Sequence, residues 1–423
     1  MTKAGLENNG VRLDHAAVDL DRVRAYLGSG PGSVPAPEDL LRPGALPAQA
    51  VWPLVARRNF RRLLRALAAV RAPSAQTRVA HQRIVAVLMA LPDARLDRLL
   101  TEPEVTSWLA GLDLDGRWDG AANLPFLSQA VVANAADAGI ECEPLDIAHD
   151  GGVITFRQFA LRLAGGGTAA DRGNPVVWCE AGAVHVRWGD RSWVLRRDAA
   201  GWHADDTAAR LATSAGTAVV TGYPEAWLRA SFPVPDGSNV SDDPDTAWHV
   251  AAKIDEGLGF LDTAWPEMTA EVRSLLRWVV PMASGDSFFV PAFRGLVAVP
   301  DVRPLALGLI VVHELSHNIM SCLYDLVDVI RNPDHRVNSP FSREREPLAS
   351  VIHSCWAFSH ELRAIRALRA SGHLDAGTDW DRVILKTKIF YDKALPLIRG
   401  EGRLTPYGVA LLEAVETLVY QDQ

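Results

Sequence analysis

One apolar stretch in the C-terminal half of the chain limits the fold more than any other feature. From Leu305 the sequence reads LALGLIVVHELSHNIMSCLYDLVDVI, and apolar residues recur through the whole run. Such a pattern predicts one long, largely buried helix. Polar side chains on a buried helix need polar partners, so the two histidines within this run require an explanation.

The two histidines belong to an HExxH pattern that runs from His313 to His317. Residues four apart on a helix lie on one face, one turn from each other, so both imidazoles can reach a single metal ion. Glu314 projects about 100° around the helix from His313. We therefore predict a metal site with His313 and His317 as two of its ligands.

A second helix carries the candidates for a third ligand. After a polar loop over residues 331–346, the pattern predicts a helix over residues 347–370 that contains His353 and His360. These two histidines are separated by about 10 Å of helical rise, so only one of them can touch the metal. His353 lies in an apolar run and is the preferred ligand, with His360 as the alternative. His335 lies in the charged loop and is expected to be exposed.

An HExxH helix is typical of zinc peptidases, in which the glutamate acts as the general base. Glu314 would have that role here. Glu344 and Glu346 lie among arginines in the loop and are expected to be solvated, so neither is a convincing third ligand. The longer metzincin motif, which has a third histidine six residues after the second, is absent because Leu323 occupies that position. The local sequence therefore permits a peptidase without favouring one.

A second interpretation is a peptide-binding scaffold with a structural metal. It predicts a closed site in which His360 or Cys355 completes four ligands, and it predicts unfolding when the metal is removed.

The pattern of elements predicts an α+β protein. Residues 1–232 form an N-terminal region that is helical over 1–140 and strand-rich over 150–232, where an exposed strand edge could bind a peptide. Residues 245–423 form the mostly helical metal domain. In that domain the sequence also predicts a helix over residues 268–280 and strands over 287–290 and 295–299.

Composition narrows the partners and the compartment. The net charge of −8, from 51 acidic and 43 basic residues, argues against a nucleic-acid binder. The N-terminus has no apolar core of a signal peptide, and the strongest continuous apolar run, Leu305 to Val312, is far shorter than the roughly 18 to 20 residues that a membrane span needs. The four cysteines form no CxxC pair and are expected to be reduced. We expect a soluble, cytoplasmic protein that binds neither nucleic acid nor membrane.

The wider context of the motif resembles the HExxH-type peptide β-hydroxylases of ribosomal peptide natural-product clusters. The similarity rests on HELSHNIMSCLYDLVDVI, the loop that follows, EPLASVIHSCWAFSHELRAI, and LTPYGVALLEAV further on. It covers about residues 245–419, and its most specific part is residues 313–358.

The resemblance implies a dioxygenase that uses Fe(II), 2-oxoglutarate and O₂ to hydroxylate a Cβ position of a precursor peptide. That peptide could already carry a modification made by a radical SAM enzyme. The resemblance implies iron bound by His313, His317 and a downstream histidine that best matches His353, on a fold unlike the double-stranded β-helix of the cupin-type oxygenases. Arg343 and Arg345 would bind the distal carboxylate of 2-oxoglutarate. In such an enzyme Glu314 would orient a ligand or position the cosubstrate.

Overall fold

The computed structural model describes eleven stretches of the chain: residues 18–42, 44–69, 74–112, 122–149, 152–165, 173–199, 201–204, 208–215, 218–221, 239–241 and 243–420. Helices and strands are both abundant among these residues, which confirms the predicted α+β class. Most of the segment expected to join the two predicted regions, residues 232–245, lies outside the described residues.

The N-terminal part begins with helices. In chain order they are α1 (Leu20–Gly28), α2 (Pro37–Leu41), α3 (Pro47–Ala69), α4 (Ala75–Ala90), α5 (Asp93–Leu100), α6 (Pro103–Gly111) and α7 (Leu124–Asp137). Side-chain oxygens of Asp19 and Ser74 accept backbone N–H bonds at the starts of α1 and α4, where the helix leaves such donors unpaired. Phe60, Leu63 and Leu67 recur at helical spacing in α3 and are buried.

Short strands follow, as predicted. They are β1 (Cys142–Asp146), β2 (Val153–Phe156), β3 (Leu161–Ala164), β4 (Val176–Glu180), β5 (Ala183–Trp188), β6 (Arg191–Asp198), β7 (Gly201–Ala204) and β8 (Ala208–Arg210). One antiparallel sheet has the order β1-β4-β5-β6-β7, and a smaller one has the order β2-β3-β8. All four cysteines of the chain are buried free thiols.

A mixed sheet joins the middle of the chain to its C-terminal part. Its strands are β9 (Ala212–Ser214), β10 (Ala218–Val220), β11 (Asn239–Val240), β12 (Trp278–Ser284), β13 (Phe288–Phe289) and β14 (Leu296–Pro300). They follow the order β13-β14-β12-β10-β9, and β11 also pairs with β12. Strand β12 runs parallel to both β10 and β14. The two strands predicted over 287–290 and 295–299 are confirmed as β13 and β14.

The C-terminal part is mainly helical. Its helices are α8 (Pro244–Ala264), α9 (Pro266–Leu275), α10 (Pro304–Leu326), α11 (Leu348–Ala370), α12 (Trp380–Glu401) and α13 (Pro406–Tyr420). A two-stranded hairpin, β15 (Arg336–Asn338) with β16 (Arg345–Pro347), lies between α10 and α11. The HExxH residues therefore lie in α10, and both His353 and His360 lie in α11.

The predicted helix over residues 268–280 is wrong beyond Leu275. Helix α9 ends there, and the backbone enters strand β12 at Trp278. Val279 and Val280 are β-branched and fully buried in a strand with partners on both sides. A continuous apolar run fits a buried helix and a buried strand equally well, and here the pairing with β10 and β14 decides the outcome.

Helix α10 is the central element of the C-terminal part. By length and composition alone it is apolar enough to cross a membrane, but 78% of its apolar window is buried inside the structure. It ends at Leu326, four residues before the end of the apolar run, because Val327 is already extended with φ of −140°. It packs between α8, α11 and the mixed sheet.

Two glycines let α8 and α10 approach closely. A Cβ atom on Gly257 of α8 would lie 2.2 Å from the carbonyl oxygen of Pro304, and one on Gly308 of α10 would lie 3.0 Å from the backbone of Gly257. The contact at Gly257 is shorter than any real Cβ contact and the contact at Gly308 is at the short limit, so glycine at these positions allows the close approach. The contact fixes the distance of the HExxH helix from α8.

The two halves of α3 belong to different hydrophobic clusters. Val51 and Val55 pack with α8, α10 and α11, whereas Phe60 and Leu63 pack with the N-terminal helices and the antiparallel sheet. Together with β9 and β10, which pair within the mixed sheet, α3 links residues of the N-terminal region to the C-terminal core.

Glu271 ties α3 to α9. Its side chain is buried, and its carboxylate accepts the backbone N–H of Ala48 in the first turn of α3. Burial raises the pKa of Glu271 to about 8, although the Ala48 bond and the charge of Arg363 both act to lower it. The carboxyl group therefore prefers its proton in the folded protein far more than in the unfolded chain.

We predict that Gly257→Ala lowers the free energy of unfolding by about 1–3 kcal/mol, because the new methyl group meets backbone atoms of α10 that cannot move independently. The matched control is Gly259→Ala in the same helix, where an added Cβ meets nothing within 4 Å. That change should be neutral or stabilising by up to about 1 kcal/mol. Chemical denaturation of both variants measures the difference, and equal stabilities would contradict the close packing.

We predict that Glu271→Gln reduces the pH dependence of stability. In the wild type the folded-state pKa of about 8 exceeds the ordinary value of 4.5, so this group's contribution is complete below pH 4.5 and is lost as the pH rises through 8. The free energy of unfolding of the variant should match that of the wild type near pH 5 and should exceed it at pH 9 by on the order of a few kcal/mol.

Denaturation at the two pH values measures this effect, with the exposed Glu256→Gln as the control that leaves the pH dependence unchanged. If the free energy of unfolding of Glu271→Gln fell with pH as steeply as that of the wild type, the raised pKa of Glu271 would be contradicted.

Candidate metal centre

The side chains of His313 and His317 converge on one point. Their Nε2 atoms lie 3.2 Å apart, and their rings meet nearly edge to face at 69°. Two nitrogens that each lie about 2.1 Å from one ion at an angle of roughly 90–110° are separated by about 3.0–3.4 Å. The spacing therefore fits two imidazoles that share one metal ion.

Helix α11 supports His313 from behind. The Nδ1 atom of His313 lies 2.9 Å from Oε2 of Glu361, and the ring of Phe358 packs edge-on at 4.5 Å between centroids. Burial acts to lower the pKa of His313, but the hydrogen bond and charge of Glu361, together with the charge of Glu314, raise it above its ordinary value.

Strand β13 supports His317. The ring of Phe289 lies parallel to that of His317 at 4.9 Å, with an interplanar angle of 3°. Burial, followed by the neighbouring His313 and His353, holds the pKa of His317 well below its usual range. A neutral imidazole is the form that binds a metal, so the surroundings keep His317 ready to act as a ligand.

His353 lies next to His317 but does not complete a three-ligand cluster. The two rings are nearly parallel with centroids 5.9 Å apart, and Tyr324 stacks on His353 at 4.9 Å. Burial and the charge of Arg294 lower the pKa of His353 to about 3. Within the described part of the chain, no three His, Cys, Asp or Glu side chains stand close enough to hold one ion. The role of His353 as third ligand stays a prediction.

The reason for preferring His353 over His360 was partly wrong. His360 is the more buried of the two, with 2% of its surface exposed, while His353 is only partly buried. His360 donates from Nδ1 to the carbonyl oxygen of Trp356 at 2.9 Å and packs on the Trp356 ring. It has the environment of a core histidine whose hydrogen bond is satisfied within its own helix. His335 is exposed, as predicted, and its Nε2 lies 3.1 Å from Glu401.

Glu314 is buried beside the histidine pair. Its Oε1 accepts a hydrogen bond of 2.7 Å from the hydroxyl of Ser287, directly before β13. Burial raises the pKa of Glu314, although the neighbouring His313 and the Ser287 bond act to lower it. The carboxylate thus connects the HExxH helix to the strand that supports His317.

The two arginines predicted to bind 2-oxoglutarate are exposed. Arg343 lies in the loop before β16, and Arg345 donates from its guanidinium to the carbonyl oxygen of Arg336 across the hairpin. A buried arginine acts on one of the histidines: Arg294 forms an ion pair of 2.8 Å with Asp325, and its charge lowers the pKa of His353. The side chains of both predicted arginines therefore lie on the surface.

Several polar atoms around this site have no hydrogen-bond partner among the described residues. They are Nδ1 of His317, Nδ1 of His353, Oη of Tyr324 and Nη1 of Arg294, all enclosed by protein. Buried polar atoms normally have partners, so such a cluster is typical of a place where a further group binds. Together with the spacing of the two Nε2 atoms, this observation fits a metal ion held by His313 and His317.

Sequence reasoning missed three residues of the site. Glu361 lies in the predicted helix directly after His360, Phe289 lies in a predicted strand, and no sequence pattern singles out Arg294. Only the contact of Phe289 had a sequence signal, because a strand was predicted at that position.

No protein-family model matches the chain, and no curated protein matches it.

We predict that His317→Ala weakens the binding of Co(II), a spectroscopic substitute for iron or zinc, by at least about 100-fold, because it removes one of two converging ligands. His335→Ala, which removes an exposed histidine, should leave the affinity unchanged. Anaerobic titration followed by visible absorption measures both. Equal affinities in the two variants would contradict the site.

Proposed function

We propose that the protein is an Fe(II)- and 2-oxoglutarate-dependent dioxygenase that hydroxylates a Cβ position of a precursor peptide in natural-product biosynthesis. The observation that carries the proposal is the convergence of the His313 and His317 Nε2 atoms, at 3.2 Å, within the segment on which the family resemblance is most specific. Iron together with 2-oxoglutarate and O₂ supplies the oxidising power that replaces a C–H bond with C–OH.

The protein's own residues would hold and shield this chemistry. His313 and His317 would bind iron through Nε2, and His353 would add a third nitrogen after a change of its ring position. Few protein ligands leave room for a bidentate oxoacid and for O₂. The rings of Phe289 and Phe358 contact the two histidines and would exclude water from the reacting centre.

The cosubstrate requires a cation for its distal carboxylate. Arg343 and Arg345 are the residues that the resemblance implies, and they lie on the hairpin before α11. Arg294 is an alternative, since its guanidinium is buried near His353 and its Nη1 atom has no partner among the described residues. Arginine suits this role because its planar group matches a carboxylate.

The peptide would lie along strand β13. This strand ends the order of the mixed sheet, so no described strand pairs with its outer edge. An extended peptide can add to such an edge through backbone hydrogen bonds. Because Phe289 of β13 stacks on His317, a peptide bound there would pass close to the two histidines.

A zinc peptidase is the second candidate, and Glu314 is the observation that favours it. This buried carboxylate follows His313 directly, and burial raises its pKa, as expected for a general base. In that case Glu314→Gln would abolish cleavage of a peptide bond while the metal stayed bound.

We predict that anaerobic protein loaded with Fe(II) gives a visible absorption band at roughly 500 nm when 2-oxoglutarate is added, because a bidentate oxoacid on ferrous iron requires open coordination positions. His353→Ala should lose the band. His360→Ala should keep it, because the His360 hydrogen bond is satisfied within its own helix.

Absence of the band from correctly folded, iron-loaded protein would contradict the dioxygenase. Tightly held zinc, with peptide cleavage that Glu314→Gln removes, would establish the peptidase instead. A band that persists in His353→Ala would leave iron chemistry intact and exclude His353 as the third ligand.

A further inference from the structure

His313 differs from its two neighbours in what its second ring nitrogen contacts. Its Nδ1 atom lies 2.9 Å from Oε2 of Glu361, while the Nδ1 atoms of His317 and His353 are enclosed without a hydrogen-bond partner among the described residues. His317 and His353 are instead held by ring stacking on Phe289 and Tyr324. One imidazole of the site is therefore fixed by a carboxylate and the other two by aromatic rings.

The contact determines which nitrogen of His313 carries the proton. A carboxylate only accepts hydrogen bonds, so in the neutral imidazole the proton lies on Nδ1 and the lone pair lies on Nε2. The Nε2 atom is the one that faces His317 at 3.2 Å. A negative charge behind the ring also makes the imidazole a stronger electron donor to a metal.

Glu361 is poorly placed to be a ligand itself. It contacts His313 on the side of the ring opposite to the nitrogen that faces His317. The side chain of Glu361 is 26% exposed, so burial alone does not hold it in this position. A second histidine–glutamate pair offers a comparison. His335 and Glu401 lie 3.1 Å apart on the surface, and no contact of His335 with another histidine is described.

We propose that Glu361 is a positioning residue that orients His313 and selects its metal-binding tautomer, so that metal affinity depends on a side chain 48 residues further along the chain. This inference rests on the metal site of the proposed function. It gives α11 a second role besides supplying His353. It also predicts that His313 is the ligand whose orientation is fixed before the metal arrives.

The test is a Co(II) titration of the full-length protein, in competition with a chelator, for the wild type, Glu361→Gln, Glu361→Leu and Glu401→Gln. Glu361→Leu removes the acceptor and should weaken Co(II) binding by about 10–100-fold with an altered visible spectrum. Glu361→Gln keeps an oxygen that can accept the Nδ1 proton but loses the negative charge, so it should bind Co(II) about threefold to tenfold more weakly than the wild type, with a spectrum like that of the wild type. Glu401→Gln should bind within twofold of the wild type.

Thermal unfolding of the metal-free variants separates a positioning effect from a folding defect. If Glu361→Leu fails to fold, the comparison between Glu361→Gln and Glu401→Gln decides, and a loss of at least threefold in the first alone supports the proposal. Co(II) affinities of the folded Glu361 variants that are less than threefold weaker than that of the wild type would overturn it while leaving the metal site intact. Absence of Co(II) binding by the wild type would overturn the metal site itself, and the positioning role with it.

Discussion

Burial of helix α10 is the constraint on which the C-terminal part depends. The helix lies between α8, α11 and the mixed sheet, and the glycine contact at Gly257 and Gly308 brings it against α8 at backbone distance. An apolar helix in this position gains stability by removing its side chains from water. The same burial makes each polar side chain on it costly unless a partner is supplied.

The neighbours of α10 supply those partners unequally. Ser287 donates to Glu314 and Glu361 accepts from His313, whereas His317 has a stacked ring and an enclosed nitrogen without a partner among the described residues. The Nε2 atoms of His313 and His317 face each other at 3.2 Å. A core that leaves such atoms together, rather than replacing them with apolar residues, has the character of a binding site.

Local patterns were sufficient where one segment determines its own structure. The apolar period of α10, the helix from Leu348 to Ala370 and the strands near Phe288 and Leu296 were all predicted from spacing. The local patterns failed at β12, because its apolar run becomes a strand through pairing with β10 and β14, which are remote in sequence. The partner of His313 was also missed, since Glu361 is remote in sequence and nothing near either residue indicates the contact. His360 is buried although charged residues follow it in the helix. Those residues bond to protein groups: Glu361 contacts His313, and Arg366 donates to backbone carbonyls of α13.

The most direct test of the central claim, that His313 and His317 hold one metal ion, is a crystal structure of protein loaded anaerobically with Fe(II), with an anomalous difference map at the iron edge. We predict a single strong peak about 2.1 Å from the Nε2 atoms of both histidines. A map with no peak between them, from crystals that contain iron elsewhere, would contradict the claim.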